Sequence, residues 1–307
     1  MISEVTKALS AIPELGDLNP SSITVERLGG LTNRNYKIIC PKGNYVLRLA
    51  GEGTGDYIDR EAEYCNASIA SSAGVNAKII HFNVRNGTML CRYIDDSVTM
   101  DVDRFRDLEA IRRAGRSFRR LHECGQYFKG QFELFGQIDQ YLNVVQELGA
   151  TVPDGYETVQ KDAERVRAAL SGHVLPNAPC HCDPMVENCI DTKDKMYIID
   201  FEYAGNNDPM WDLGDLSVEG EFNEEQDHEF LAAYFGREAS AFDAGRMVMY
   251  KAMCDLLWTL WGVVQHANGN PVDDFWGYAL GRLERCRDLM ATEDFSKHLD
   301  AVKRGPR

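Results

Sequence analysis

Apolar and polar residues alternate with a period of two in Ile23-Thr24-Val25-Glu26-Arg27-Leu28, which predicts a strand. Tyr36-Lys37-Ile38-Ile39 and Tyr45-Val46-Leu47-Arg48-Leu49 repeat the pattern on either side of a hairpin turn, Pro41-Lys42-Gly43-Asn44. Two more strands are expected over Val75–Ile80 and Thr88–Tyr93, with Asn86-Gly87 between them as a type I′ turn signal. A helix opens at Asp59-Arg60-Glu61-Ala62-Glu63 and runs to about Ser72, and residues 1–20 read as a short amphipathic helix ending near Pro13 or Gly16. After Met89-Leu90-Cys91-Arg92-Tyr93-Ile94 the period changes from two to that of helices. Asp103–Cys124 places Leu108, Ile111, Ala114, Phe118 and Leu121 on one stripe, and its end, Arg119-Arg120-Leu121-His122, gives His122 a structural reading. Further helices are expected over Gln137–Leu148, Tyr156–Leu170, 224–236 and 240–267, and another opens within Gly205–Asp215; the charged tail from Ala291 reads as peripheral. The pattern is α+β, with an antiparallel sheet in the first part and a mainly helical remainder.

Composition narrows the class. The 307 residues are 44% hydrophobic and 26% charged, enough for a sizeable core. No apolar run approaches the roughly 18 residues of a membrane span, and the start, Met1-Ile2-Ser3-Glu4-Val5, lacks the pattern of a signal peptide. Nine cysteines are scattered without zinc spacing, so reduced thiols in a cytoplasmic protein are expected. The net charge of −15 repels nucleic acid and anionic membrane and attracts a cationic ligand. Oligomeric state is left open.

One stretch concentrates chemistry. His181-Cys182-Asp183-Pro184-Met185-Val186-Glu187-Asn188 is followed by a strand, Lys195–Ile199, and then by Asp200-Phe201-Glu202. With Asp191-Thr192-Lys193-Asp194 as the turn, a hairpin of this length folds Asp183, Asn188 and Asp200 towards one place. Asp183 is suited to orient an acceptor hydroxyl and take its proton. Asn188 and Asp200 offer hard oxygen ligands of the kind Mg2+ prefers. Phosphoryl transfer needs positioning and charge neutralisation more than covalent help, and this set supplies both. A solvated acidic hairpin has the same composition.

The run His181-x-Asp183-x4-Asn188 with Asp200-Phe201-Glu202-Tyr203 resembles the choline/ethanolamine kinase family, within the aminoglycoside-phosphotransferase-like group of kinase folds. The resemblance covers roughly residues 25–285. It implies a two-lobed protein-kinase-like fold, with a nucleotide-binding lobe over 1–93 and a helical lobe with the catalytic loop and acceptor pocket over 94–307. It implies ATP and Mg2+ as cofactors, with Glu202 assisting Asn188 and Asp200 at the metal. Gly29-Gly30-Leu31-Thr32-Asn33-Arg34-Asn35 is similar to the family's nucleotide loop, which makes Gly30, Thr32, Asn33 and Asn35 candidates for phosphate contact. Gly51-Glu52-Gly53-Thr54-Gly55 resembles the loop after the third strand. Arg48 stands where kinases place a strand lysine and would grip two phosphate oxygens in a fork; Glu63, or failing it Glu61, would set it. Backbone groups of Arg92, Tyr93 and Ile94 would receive adenine.

Within the same resemblance, Asp212 of the Asp-Pro-x-x-Asp-Leu run braces the catalytic loop, and Asp208 and Asp215 have capping or solvated roles ahead of a metal role. Trp258-x-x-Trp261-x-x-x-Gln265 is similar to the aromatic wall that surrounds a trimethylammonium group, and Tyr203 and Glu219 match the same cage. Glu221, Phe222, Phe275, Trp276 and Tyr278 are further members that cannot be aligned without ambiguity. Asp255, one turn before Trp258, would add a carboxylate that favours a primary ammonium. The implied activity is phosphorylation of a small amino alcohol, choline first. Ethanolamine, thiamine or an aminoglycoside are the alternatives on the same scaffold, and a nucleotide-binding pseudokinase is the alternative of another class.

Overall fold

The computed structural model describes residues 2–29, 33–51 and 58–306. Gly30, Thr32 and most of the loop 51–55 lie outside the described residues.

Strands β1 (Thr24–Arg27), β2 (Arg34–Cys40), β3 (Gly43–Leu49), β4 (Ile79–Asn83) and β5 (Thr88–Arg92) form an antiparallel sheet in the order β1-β2-β3-β5-β4. Period-two alternation buries Tyr36 and Ile38 of β2, Tyr45 and Leu47 of β3, and Leu90 of β5 in one small core. Helix α1 (Ile2–Ser10) and the turns after it close that core with Val5, Leu9, Ile12 and Leu15. Helix α2 (Arg60–Ser72) starts where predicted because the Asp59 side chain accepts the N–H groups of Glu61 and Ala62, both at 3.0 Å. The expected strand over Val75–Ile80 is displaced. The N–H groups of Val75 and Asn76 both bond Ala70 O, and Gly74 is left-handed at φ 71°, so this stretch closes α2 and pairing begins only at Ile79. Between β4 and β5 only Gly87 has positive φ, and its N–H bonds Asn83 O at 2.8 Å, so the connection is not the type I′ turn that Asn86-Gly87 signalled.

The rest is mainly helical: α3 (Leu108–His122), α4 (Leu134–Glu147), α5 (Tyr156–Ser171), α6 (Pro209–Glu219), α7 (Glu224–Phe235), α8 (Ala241–Ala267), α9 (Phe275–Met290) and α10 (Glu293–Arg304). Helix α3 begins at Leu108, five residues later than Asp103, because Asp107 caps it through the Glu109 N–H. Helix α8 forms the centre, packed by α9, α10, α6 and α4. It is long and apolar enough to cross a membrane by length and composition, contrary to the sequence expectation, but most of its apolar window is buried inside the protein. Gly214 lets α6 lie against it: a Cβ there would come within 3.0 Å of Met247 O and Lys251 N. The tail is not peripheral. Phe295, Leu299 and Val302 recur at helical spacing and are buried as α10 packs on α8 and α5.

Three short pairings carry the catalytic segment. Strand β7 (Ala178–Cys180) pairs with β10 (Gly205–Asn207), a strand where the sequence suggested a helix start; β8 (Cys189–Asp191) pairs with β9 (Met196–Ile198) and with β6 (Val98–Thr99).

Candidate active site

The loop after β7 is held from below by one buried carboxylate. Asp212, fully buried in the first turn of α6, accepts the backbone N–H of His181 at 2.7 Å and of Cys182 at 2.9 Å. It also accepts His122 Nε2–H at 3.0 Å, and His122 Nδ1 in turn accepts the Tyr234 hydroxyl at 3.0 Å. Cys182 sits at φ 69°, a left-handed conformation that a cysteine adopts only when its surroundings hold it there. Trp211 Nε1 donates to Cys182 O at 3.1 Å and completes the clamp. His181 does not reach forward. Its Nε2 donates to Ile199 O at 2.8 Å and its ring meets the edge of Phe201 at 4.8 Å, so it ties the loop before the hairpin to the segment after it.

That tie brings the predicted residues together. Asn188 Nδ2 donates to Asp183 O at 3.2 Å, which uses the amide's donor end and leaves Oδ1 as the end suited to a cation. Asp200 has φ 69°, a second strained backbone position in the same site. Burial raises the Asp183 carboxyl to about 7, and Glu219, Asp200 and Glu202 push the same way. Tyr141 of α4, absent from the sequence reading, lies within electrostatic reach of Asp183. Its phenol is raised to about 12, by burial and then by that carboxylate.

On the sheet side, carboxylate oxygens of Glu63, Asp200 and Glu202 lie within 4.8 Å of one another. Arg48 of β3, 3% exposed, donates through Nη1 to Glu63 at 2.5 Å and to Asp200 at 3.3 Å, and through Nη2 to Gly87 O at 3.3 Å. Glu63 is therefore the partner, while Glu61 is exposed and, among the described residues, pairs with Lys129. Arg60 was not anticipated. It bridges Glu63 at 2.7 Å and Glu202 at 3.5 Å, and the only sequence signal was an arginine three residues before a buried glutamate. Burial raises Glu202 to about 7, with Asp200 adding to the shift. Asn33 Nδ2 donates to Glu202 at 3.3 Å while its Oδ1 accepts the Gly51 N–H at 3.4 Å, linking the nucleotide loop to the acidic cluster. Asn35 turns elsewhere, and its Nδ2 donates to Gly29 O at 3.0 Å and braces the turn. Of the backbone groups of Arg92, Tyr93 and Ile94 expected to meet adenine, the Arg92 N–H bonds Lys78 O and the Tyr93 N–H bonds Asn44 O.

The acceptor side is built by α6, α8 and α9. Trp258 and Trp261, both half-buried, meet edge-on at 6.3 Å. Trp261 is flanked by Phe275 at 5.3 Å and Tyr278 at 5.6 Å, so two of the ambiguous aromatics pack against it. Trp276 instead turns to His266, and Phe222 packs on Phe105 and Phe230 in the core. Tyr203, next to Glu202 in the chain, is 40% exposed. Glu219 ends α6 and pairs with Arg282 of α9 at 2.5 Å; Arg282 lies 4.8 Å over the Tyr278 ring. Asp255 does not add charge to the pocket as the sequence suggested. Arg282 at 3.1 Å and Arg285 at 2.5 Å neutralise it. Sequence spacing gave no hint of these arginines, because α9 joins the site only through tertiary packing. Asp208 caps α6 and pairs with Arg246 and the Tyr250 hydroxyl, a structural role.

Relatives bear on this geometry. Residues 24–248 match the phosphotransferase enzyme family. A choline/ethanolamine kinase family protein from Mesorhizobium loti is 48% identical and superposes with a TM-score of 0.91 over 99% of this chain and 100% of its own. The choline kinase LicA from Streptococcus pneumoniae is 26% identical, with a TM-score of 0.77 over 94% of this chain and 98% of its own. A structure of LicA in complex with AMP is 25% identical, with a TM-score of 0.72 over 94% and 97%. The match over 24–248 and the 48% identity over the whole chain place it: the chain belongs to the phosphotransferase enzyme family, among its choline/ethanolamine kinases.

Proposed function

We propose that this protein transfers the γ-phosphoryl group of ATP to the hydroxyl of a small amino alcohol, with choline the first acceptor to try. The observation that carries the reading is the position of Asp183. It lies within electrostatic reach of Asp200 and Glu202 of the acidic cluster and of Glu219 of the acceptor side, whose charges all raise its carboxyl. A hydroxyl placed at Asp183 would face phosphate held by Arg48 and have its cationic nitrogen towards the Trp258–Trp261 wall. As the acceptor oxygen bonds the phosphorus and the bond to ADP breaks, Asp183 takes the hydroxyl proton. Its raised affinity for a proton suits that role.

The donor set around Asp200 fits Mg2+, being all hard oxygens: Asp200 and Glu202 carboxylates and the Asn188 amide oxygen. A bound Mg2+ would neutralise phosphate charge there. Arg48, held by Glu63, orients the nucleotide phosphates, and Asn33 and Ile94 lie on the loop and strand end expected to meet nucleotide. In this reading residues 1–93 serve the nucleotide and 94–307 the acceptor. The AMP complex of the LicA relative supports a nucleotide site on this fold.

The test is ADP release with ATP and Mg2+ against choline, ethanolamine, thiamine, kanamycin and no acceptor. Turnover is expected with the amino alcohols. Silence with every acceptor, in protein that still binds ATP, would replace this reading with the pseudokinase or with an acceptor outside the panel.

A further inference from the structure

Asp215 is 1% exposed, and its Oδ2 has no hydrogen-bond partner among the described residues. Its other oxygen accepts only the Cys254 thiol, at 3.2 Å, and a thiol is a weak donor. Four nearby carboxylates are answered: Glu219 by Arg282, Asp255 by Arg282 and Arg285, Asp208 by Arg246, and Asp212 by three N–H donors. A buried carboxyl group left in this state costs stability, and a fold keeps one where it has a use.

Its place in the fold indicates the use. Asp212, Asp215 and Glu219 are spaced three and four apart on α6 and share one stripe. Asp212 holds the catalytic loop and Glu219 faces the acceptor side, so Asp215 lies between them. Cys254, Trp258 and Trp261 recur at four and three on α8, so the thiol bonded to Asp215 belongs to the stripe that carries the tryptophans. Ligand atoms of Asp215, Glu219 and Cys254 come within 4.8 Å of one another. The charges of Glu219 and Asp183 both act on Asp215, and Tyr278 feels Asp215 in turn. The group therefore lies between the α6 stripe that ends in Glu219 and the α8 stripe that carries the tryptophans, within electrostatic reach of Asp183.

We propose that Asp215 is a specificity residue of the acceptor pocket: its Oδ2 accepts an N–H from the acceptor's ammonium group, so it favours primary over quaternary amino alcohols. This rests on the amino-alcohol reading above. Ring faces attract any compact cation, whether or not it carries N–H groups. A carboxylate distinguishes them, because a primary ammonium donates three hydrogen bonds, a tertiary one donates one, and a quaternary one donates none. Burial, then the Glu219 and Asp183 carboxylates, favour the protonated form of Asp215 in the unliganded protein, with Cys254 and Arg282 opposing. Binding a primary ammonium turns it into a carboxylate, and the displaced proton goes to solvent while the ligand keeps its three.

The experiment measures kcat/KM for ethanolamine, N-methylethanolamine, N,N-dimethylethanolamine and choline, in wild type and in Asp215→Asn. The ethanolamine-to-choline ratio is expected to fall at least about tenfold in the variant, mainly through KM, with the intermediate amines in graded order. A ratio that moves less than about threefold, or an equal loss on all four acceptors, would make Asp215 a packing residue and overturn the proposal. The second readout needs no variant. Calorimetry of wild type in buffers of different ionisation enthalpy should show more proton release with ethanolamine than with choline, and equal release would also overturn it. Wild type inactive on all four amines would instead remove the amino-alcohol reading, and this inference with it.

Discussion

Replacing Asp212 by asparagine changes one oxygen to an amide nitrogen and nothing in shape, yet it should damage both stability and turnover. Asp212 receives three donors: His181 N–H at 2.7 Å and His122 Nε2 at 3.0 Å on one oxygen, and Cys182 N–H at 2.9 Å on the other. Asparagine has a single acceptor atom. If that atom keeps the first pair, its NH2 group confronts the Cys182 N–H, and a buried backbone donor loses its partner. That costs about 1–3 kcal/mol, and the two surviving bonds lose charge assistance worth about 1 kcal/mol each, giving roughly 3–5 kcal/mol in total. In a chain of this length the melting temperature should drop by roughly 5–10 °C. The orphaned N–H is that of Cys182, which is held at φ 69° directly before Asp183. Relaxation of that residue moves the hydroxyl-orienting carboxylate, and a displacement of about 1 Å is enough for a loss near 100-fold in kcat. Calorimetric melts and initial-rate assays under saturating ATP and acceptor check both numbers. A melting temperature within about 2 °C of wild type together with kcat within about twofold would refute the clamp.

Asp183→Asn should lower kcat by about 100- to 10,000-fold while leaving the melting temperature unchanged or slightly raised, since a buried carboxyl is removed; steady-state kinetics and thermal melts separate the two effects. Arg48→Lys keeps the charge but loses the fork that grips Glu63, Asp200 and Gly87 O, and should raise KM for ATP about tenfold with a smaller effect on KM for the acceptor. Asp215 also sets a pH dependence. Its folded pKa lies well above its unfolded value, from burial and then Glu219 and Asp183, with Cys254 and Arg282 opposing, so folding takes up a proton once pH exceeds about 4. Its contribution therefore declines as pH rises from there towards the folded pKa, and Asp215→Asn should melt higher than wild type at pH 8, by a margin that shrinks towards pH 5; a constant margin would contradict this.

Local pattern was enough for most of the elements and for the position of the hairpin. Strands over 36–49 were legible because one face alternates against a core, and α2 because Asp59 precedes an amphipathic stretch. Asp183, Asn188 and Asp200 were legible because a short hairpin fixes their separation without help from the rest of the chain. Errors fell where local pattern was outweighed by packing. A charged tail proved to be a helix with one buried stripe, and a strand signal over 75–78 yielded to the bonds that close α2.

Which charges answer which was decided by packing across long stretches of chain. Asn33 and Glu202 are 169 positions apart, Arg48 and Asp200 are 152 apart, and Arg282 and Glu219 are 63 apart. No periodicity encodes such pairs, because they depend on how sheet, hairpin and helices are placed against one another. Asp255 looked available in the sequence and is neutralised by two arginines, whereas Asp215, read as capping or solvated, is buried with no salt-bridge partner among the described residues. A carboxylate's identity is local, but whether it is paired, buried or exposed to a ligand is set by what the rest of the chain brings next to it.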